Sequence, residues 1–166
     1  MTGSDKAIRA KIEGIAIRVK GTVQGVGFRP FVWKTARDLK LTGEVSNDSE
    51  GVLIKVWGTS EKLERFLYIV ENQYPPLARV EAVLKSKIEH GDRKSTFEII
   101  ESTSSAANTG VSVDAATCAD CLKDILDPKN RRYRYPFTNC TNCGPRLTII
   151  ERIPYDRKNT SMAEFE

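Results

Sequence analysis

No stretch of this sequence approaches the ~18 consecutive apolar residues of a membrane span, and Met1-Thr2-Gly3-Ser4-Asp5-Lys6 lacks the apolar core of a signal sequence. Membrane insertion and secretion are not expected, and the chain reads as cytoplasmic. Charge of one sign is also scarce. The 26 Lys and Arg stand against 22 Asp and Glu, a net +4 that does not make nucleic acid the default partner. At 166 residues the chain is too short for a large multidomain enzyme, and 40% hydrophobic with 29% charged residues is an ordinary folded composition. Its length suits one domain with an appendage, or two small domains. There is a single histidine, His90, and two tryptophans, Trp33 and Trp57; a surface imidazole and two core-facing indoles account for them. Four cysteines remain. In a reducing compartment they point to metal or catalysis before disulfides.

The apolar residues are arranged with clear periods. Over residues 12–21, Ile15, Ile17 and Val19 alternate with Ala16, Arg18 and Lys20, the pattern of a strand with one buried face. Phe28, Phe31, Val32, Thr35, Ala36 and Leu39 follow at helical spacing, with Pro30 where a first turn tolerates it. Thr42 to Asn47 and Gly51 to Trp57 read as a hairpin joined by turn-forming residues. Ser60 is placed to cap a helix that carries Glu61 and Glu64 early, buries Leu63, Phe66, Leu67 and Val70, and stops at Tyr74-Pro75-Pro76. Ala78 to Ile88 and Phe97 to Glu101 supply two more extended segments. The order β-α-β-β-α-β plus one strand predicts an α+β, ferredoxin-like fold over residues 1–101, with both helices on one sheet face. Residues 102–110 are small and polar, a linker. Residues 111–166 hold every cysteine but too few apolar residues for a core of their own.

Between the first strand and helix runs Gly21-Thr22-Val23-Gln24-Gly25-Val26-Gly27-Phe28-Arg29. It ends without the Gly-Lys-Ser/Thr of a Walker loop, and Pro30 stands where a dinucleotide turn needs its third glycine. ATP and NAD are therefore not indicated. What remains is a curled backbone whose N–H groups converge at the positive end of a helix dipole, a place for an anion. Arg29 in the first turn opposes that dipole by about 0.3–1 kcal/mol. Either a bound phosphoryl group, gripped by two guanidinium N–H groups, or a carboxylate partner would account for it.

Cys118-Ala119-Asp120-Cys121 and Cys140-Thr141-Asn142-Cys143 form two C-x2-C pairs eighteen residues apart, the spacing of zinc sites. Four thiolates close a tetrahedral shell and leave no position for substrate, so the expected zinc is structural. Redox pairs are the rival reading; neither pair precedes a clear amphipathic helix in a βαβ setting. The intervening Asp127 to Phe137 is basic and aromatic, which suits either single-stranded nucleic acid or a solvated face with its rings tucked against the metal knuckles. The small net charge favours the second.

The run from Val19 to Arg29 resembles the acylphosphatase signature, a strand followed by G-x-V-Q-G-V-x-[FM]-R. The resemblance implies metal-free hydrolysis of an acyl phosphate, with the loop residues Gln24, Gly25, Val26, Gly27 and Phe28 and the side chain of Arg29 binding phosphate. It also implies that Asn47, at the end of the second strand, positions the attacking water. Gly27-Phe28-Arg29-Pro30-Phe31, the quartet with Arg131-Arg132-Tyr133 and Thr138 to Arg146, and Ile153-Pro154-Tyr155-Asp156-Arg157 together resemble the N-terminal part of the HypF carbamoyltransferases of NiFe-hydrogenase maturation. In that family carbamoyl phosphate is cleaved, the carbamate is adenylated, and the carbamoyl group passes to a HypE-type protein as the precursor of cyanide ligands. Because the family continues into a second quartet and two nucleotide-handling modules, the expectation is an N-terminal fragment that retains acyl phosphate hydrolysis and zinc binding but not the transferase activity. A noncatalytic zinc adaptor ranks second, a nucleic-acid-binding zinc protein third.

Overall fold

The computed structural model describes residues 11–89, 93–102, 115–140, 142–144, 147–152 and 156–164. His90, the linker beyond Ser102, Thr141, Pro145, Arg146 and Ile153-Pro154-Tyr155 lie outside the described residues.

Strand β1 (Glu13–Thr22) leads through the glycine loop into helix α1 (Phe28–Asp38), followed by β2 (Thr42–Asp48), β3 (Gly51–Gly58), α2 (Ser60–Asn72), β4 (Arg79–Lys87) and the short β5 (Phe97–Ile99). The five strands lie in the order β4-β1-β3-β2-β5. Neighbours are antiparallel except β2 and β5, which run parallel from Gly43 opposite Phe97 to Val45 opposite Ile99. This is the ferredoxin-like arrangement anticipated from the apolar periods. The register sets Ile17 of β1 against Ile54 of β3 and Asn47 of β2 against Val52, so one sheet face is aliphatic almost throughout.

That face and the helices make one core. Ile17, Val19, Val45, Val52, Ile54 and Val56 from the strands meet Phe28, Val32 and Ala36 of α1 and Leu63, Phe66 and Val70 of α2 in a single cluster. The α1 N-cap is Gly27, in the left-handed region at φ 76°, a conformation that glycine takes without the steric penalty of a side chain. It turns the chain from the loop into the helix, and its carbonyl accepts the Phe31 N–H at 3.1 Å. The α2 cap differs from expectation. Thr59 occupies the N-cap position without a side-chain cap, and Ser60 is the first helical residue, its hydroxyl turned toward the Glu64 carboxylate at 3.3 Å. An extended Thr59 one residue earlier starts the helix, and Ser-Glu spacing alone does not separate the two choices. Among the described residues no helix is long and apolar enough to cross a membrane.

The Phe66 ring is fully buried and tilted against Phe97 with centroids 6.5 Å apart. Phe66→Ala is expected to lower the unfolding free energy by about 3–5 kcal/mol through the cavity it leaves, measured by urea denaturation. Arg65→Ala, on the exposed side of the same helix, should change it by no more than about 0.5 kcal/mol.

Candidate functional site

The loop between β1 and α1 is tied to the β2–β3 turn by one side chain. The Gln24 carboxamide donates to the Asp48 carbonyl at 2.8 Å and to the Gly51 carbonyl at 3.0 Å. From the other side, Arg18 grips both carboxylate oxygens of Asp48 at 2.5 Å. Partial burial acts to raise the Asp48 pKa, but the Arg18 guanidinium and the Glu50 N–H outweigh it and hold the carboxyl below its ordinary range. The hairpin therefore stays fixed against the loop.

Asn47 sits one residue before that clamp. It is 1% exposed, and among the described residues its Oδ1 finds no protein hydrogen-bond partner. It borders a cavity of about 340 Å³ with Gly25, Gly27 and Arg29 on the same wall. Five of the residues expected to bind phosphate or position water thus converge here, Gly25, Gly27, Phe28, Arg29 and Asn47, together with the expected metal ligand Cys140. The Phe28 ring is 1% exposed and lies 5.8 Å from Phe31 in the core. Val26 is also a core side chain, and the Gln24 side chain is spent on the hairpin.

Arg29 has the carboxylate partner that the sequence left open as an alternative. Its Nη1 lies 2.8 Å from Oδ1 of Asp156, in the C-terminal segment, and both side chains are about nine-tenths shielded from solvent. Ser102 joins them. Its hydroxyl accepts from Arg29 at 3.2 Å and stands 3.3 Å from Asp156 Oδ1, while its N–H donates to Asp156 Oδ2 at 3.3 Å. Sequence reasoning assigned no role to Asp156 or Ser102; the only signal was Asp156's place in a family motif.

A second part of the cavity wall comes from the cysteine segment, through Asn139, Cys140 and Gly144. The ligand atoms of Cys118, Cys121, Cys140 and Cys143 all lie within 4.8 Å of one another. Three of the sulfur pairs are 3.4, 3.6 and 3.9 Å apart. A tetrahedral ion with bonds of ~2.3 Å has S–S edges of about 3.8 Å, so the quartet fits zinc; a disulfide sulfur pair is about 2.05 Å apart. The first pair opens a helix, though not in a βαβ setting: Cys118 is the N-cap of α3 (Ala119–Leu126), and no strand element follows it among the described residues. Burial acts to raise the Cys118 pKa, but the Cys121 N–H at the start of α3 and the adjoining thiols bring it down to about 7. Burial and the same neighbours push Cys121 upward.

The basic-aromatic stretch packs less than expected. Tyr133, Tyr135 and Phe137 are 41–49% exposed. They contact one another or an arginine rather than covering the knuckles, with Tyr135 edge-on to Phe137 and Arg134 over Tyr133.

Asp156→Ala removes the acceptor shared by the Arg29 guanidinium and Ser102. Amide hydrogen exchange over residues 157–164 is expected to accelerate, with local protection falling by about 1.5–3 kcal/mol, the range for hydrogen bonds to charged groups. Strands β1 to β3 should keep theirs.

Comparisons with known proteins agree with both walls. Residues 15–99 match the Acylphosphatase family and residues 117–150 the HypF finger. The carbamoyltransferase HypF of Rhodobacter capsulatus is 52% identical over 149 residues, covering 90% of this chain and 20% of that protein. The acylphosphatase of Salinibacter ruber is 38% identical over 98 residues, covering 58% of this chain and 92% of that one. A crystal structure of full-length HypF in the phosphate- and nucleotide-bound form superposes with a TM-score of 0.82 at 41% identity, over 97% of this chain and 21% of that one. The chain thus spans about a fifth of the length of the carbamoyltransferases it matches. It belongs to the acylphosphatase family, and its acylphosphatase domain is followed by the zinc-finger region of the HypF carbamoyltransferases.

Proposed function

We infer that the chain hydrolyses acyl phosphates, with carbamoyl phosphate as the substrate, at the cavity between the glycine loop and the cysteine segment. The observation that carries this reading is the buried, unsatisfied Oδ1 of Asn47 beside Arg29 and the loop. A polar atom held so deep without a partner costs about 1–3 kcal/mol, and a substrate-bound water would satisfy it. Arg29, oriented through Nη1 by its ion pair with Asp156, and the loop N–H groups hold the phosphoryl oxygens, and the carboxamide of Asn47 aims a water at phosphorus. The water oxygen bonds to phosphorus as the bond to the acyl oxygen breaks, and the electron pair leaves on the carbamate. Among the described lining residues there is no carboxylate or imidazole. In this reading the proton of the water passes to a phosphoryl oxygen. Carbamate is a stable anion, so rate comes from positioning and from neutralising charge rather than from a strong acid.

Cys118, Cys121, Cys140 and Cys143 hold a structural zinc in this reading, and residues 102–110 join the acylphosphatase domain to the finger. Bound zinc supplies the folding energy that a segment with few apolar residues lacks. A reducing, cytoplasmic setting suits four ligating thiols. Within a longer polypeptide of the HypF kind, the carbamate would feed transfer to a HypE-type partner for cyanide ligand synthesis. A docking role for the finger is a second reading, supported by the exposed Leu122, Leu126, Tyr133, Tyr135 and Phe137.

Phosphate release from carbamoyl phosphate by Arg29→Ala is expected to fall by ~10³-fold or more, and by Asn47→Ala by about 10²-fold. Turnover equal to the wild type in either variant refutes the assignment. Metal analysis should find about one zinc per chain. Cys121→Ser should lower that content, and a strong chelator should release the finger's structure while the sheet domain stays folded. A wild-type protein purified with no zinc from metal-replete cells would contradict the centre.

A further inference from the structure

An acyl phosphate has two ends, and two separate parts of the chain wall the cavity. On the hydrolase reading the phosphoryl end belongs with Gly25, Gly27 and Arg29, and the second part of the wall, made by Asn139, Cys140 and Gly144, offers the acyl end the side chain of Asn139. That wall is held close by a backbone contact. Gly144 has φ 67°, and a side-chain carbon there would stand 2.7 Å from the Gly25 carbonyl oxygen and 3.0 Å from the Val26 Cα. Only a glycine lets the knuckle approach the phosphate loop so closely. The knuckle is itself closed by the Gly144 N–H donating to the Cys140 carbonyl at 2.9 Å. Asn139, immediately before Cys140, is therefore carried to the cavity by a turn whose position two contacts fix. It is half-buried, and among the described residues its carboxamide makes no hydrogen bond.

We propose that Asn139 reads the acyl end of the substrate and selects carbamoyl over acetyl phosphate. The inference rests on the hydrolase reading above and adds to it a selecting residue contributed by the finger. A carbamoyl group presents a carbonyl acceptor beside an NH2 donor, and a carboxamide offers the complementary donor and acceptor, so the two can pair through parallel hydrogen bonds. Acetyl replaces the NH2 with a methyl and leaves the asparagine oxygen unmatched. A buried polar group without its partner is what rejects an analogue, and the half-exposed setting of Asn139 keeps the effect to a single hydrogen bond.

The test measures kcat/KM for carbamoyl and acetyl phosphate on the wild type, Asn139→Ala and Asn139→Leu, with zinc content determined in parallel. Both substrates are assayed on one preparation, so an unfolded fraction cancels from their ratio. The carbamoyl-to-acetyl ratio is expected to fall about 3- to 10-fold in both variants, with the larger loss on carbamoyl phosphate. An unchanged ratio overturns the proposal, whether the two activities persist or decline together. A wild type that cleaves neither substrate overturns the hydrolase reading itself, and the role of Asn139 falls with it.

Discussion

Two hydrogen bonds from one carboxamide join the parts on which the site depends. Gln24 stands in the glycine loop, yet its amide reaches the carbonyls of Asp48 and Gly51 in a different turn. The loop leads into Arg29 in the first turn of α1, and the turn brings Asn47. Each alone is an ordinary connection. Held together, with Asp48 locked from the far side by Arg18, they face one cavity in a fixed relation. The sheet serves that geometry, because the β2–β3 register that buries Val45 and Val52 also delivers Asn47 to the same buried face.

The cysteine segment completes the enclosure instead of hanging from it. Gly144 lies against the loop backbone, and Asp156 takes the Arg29 guanidinium in a shielded ion pair. Such a pair gains little net stability over apolar packing, but it fixes a long side chain that would otherwise sample many rotamers. The glycine loop and the first turn of α1 thus meet Gly144 and Asp156, although the sequence separates them widely.

Most of the sheet domain was legible in the sequence because its signals are local and strong. Alternation in β1 and β3, helical spacing in α1 and α2, and turn residues between β2 and β3 each specify an element from its own residues. The glycine loop, Arg29 and the thiol quartet were legible for the same reason, as short motifs with fixed spacing, whereas Asn47 was singled out only through the acylphosphatase resemblance. What escaped depends on distance in the chain. Asp156, Ser102 and Gly144 matter through the residues they meet across the fold, and although Asp156 and Gly144 stand in family motifs, no local period announces such meetings. The α2 cap slipped by one residue because Thr59 and Ser60 are both plausible caps. The rings of Tyr133, Tyr135 and Phe137 face outward although aromatic composition suggested packing.

A solitary oxygen inside the domain has a bearing on how such a protein can change over time. With no protein donor among the described residues, Oδ1 of Asn47 gives the folded state less than a bonded amide or a well-packed apolar group would. Leucine is of similar size and would make up that difference. Any screen that rewards heat tolerance alone should therefore favour leucine at this position and, on the proposed chemistry, return durable but inert descendants. Robustness and reactivity pull on the same atom in opposite directions.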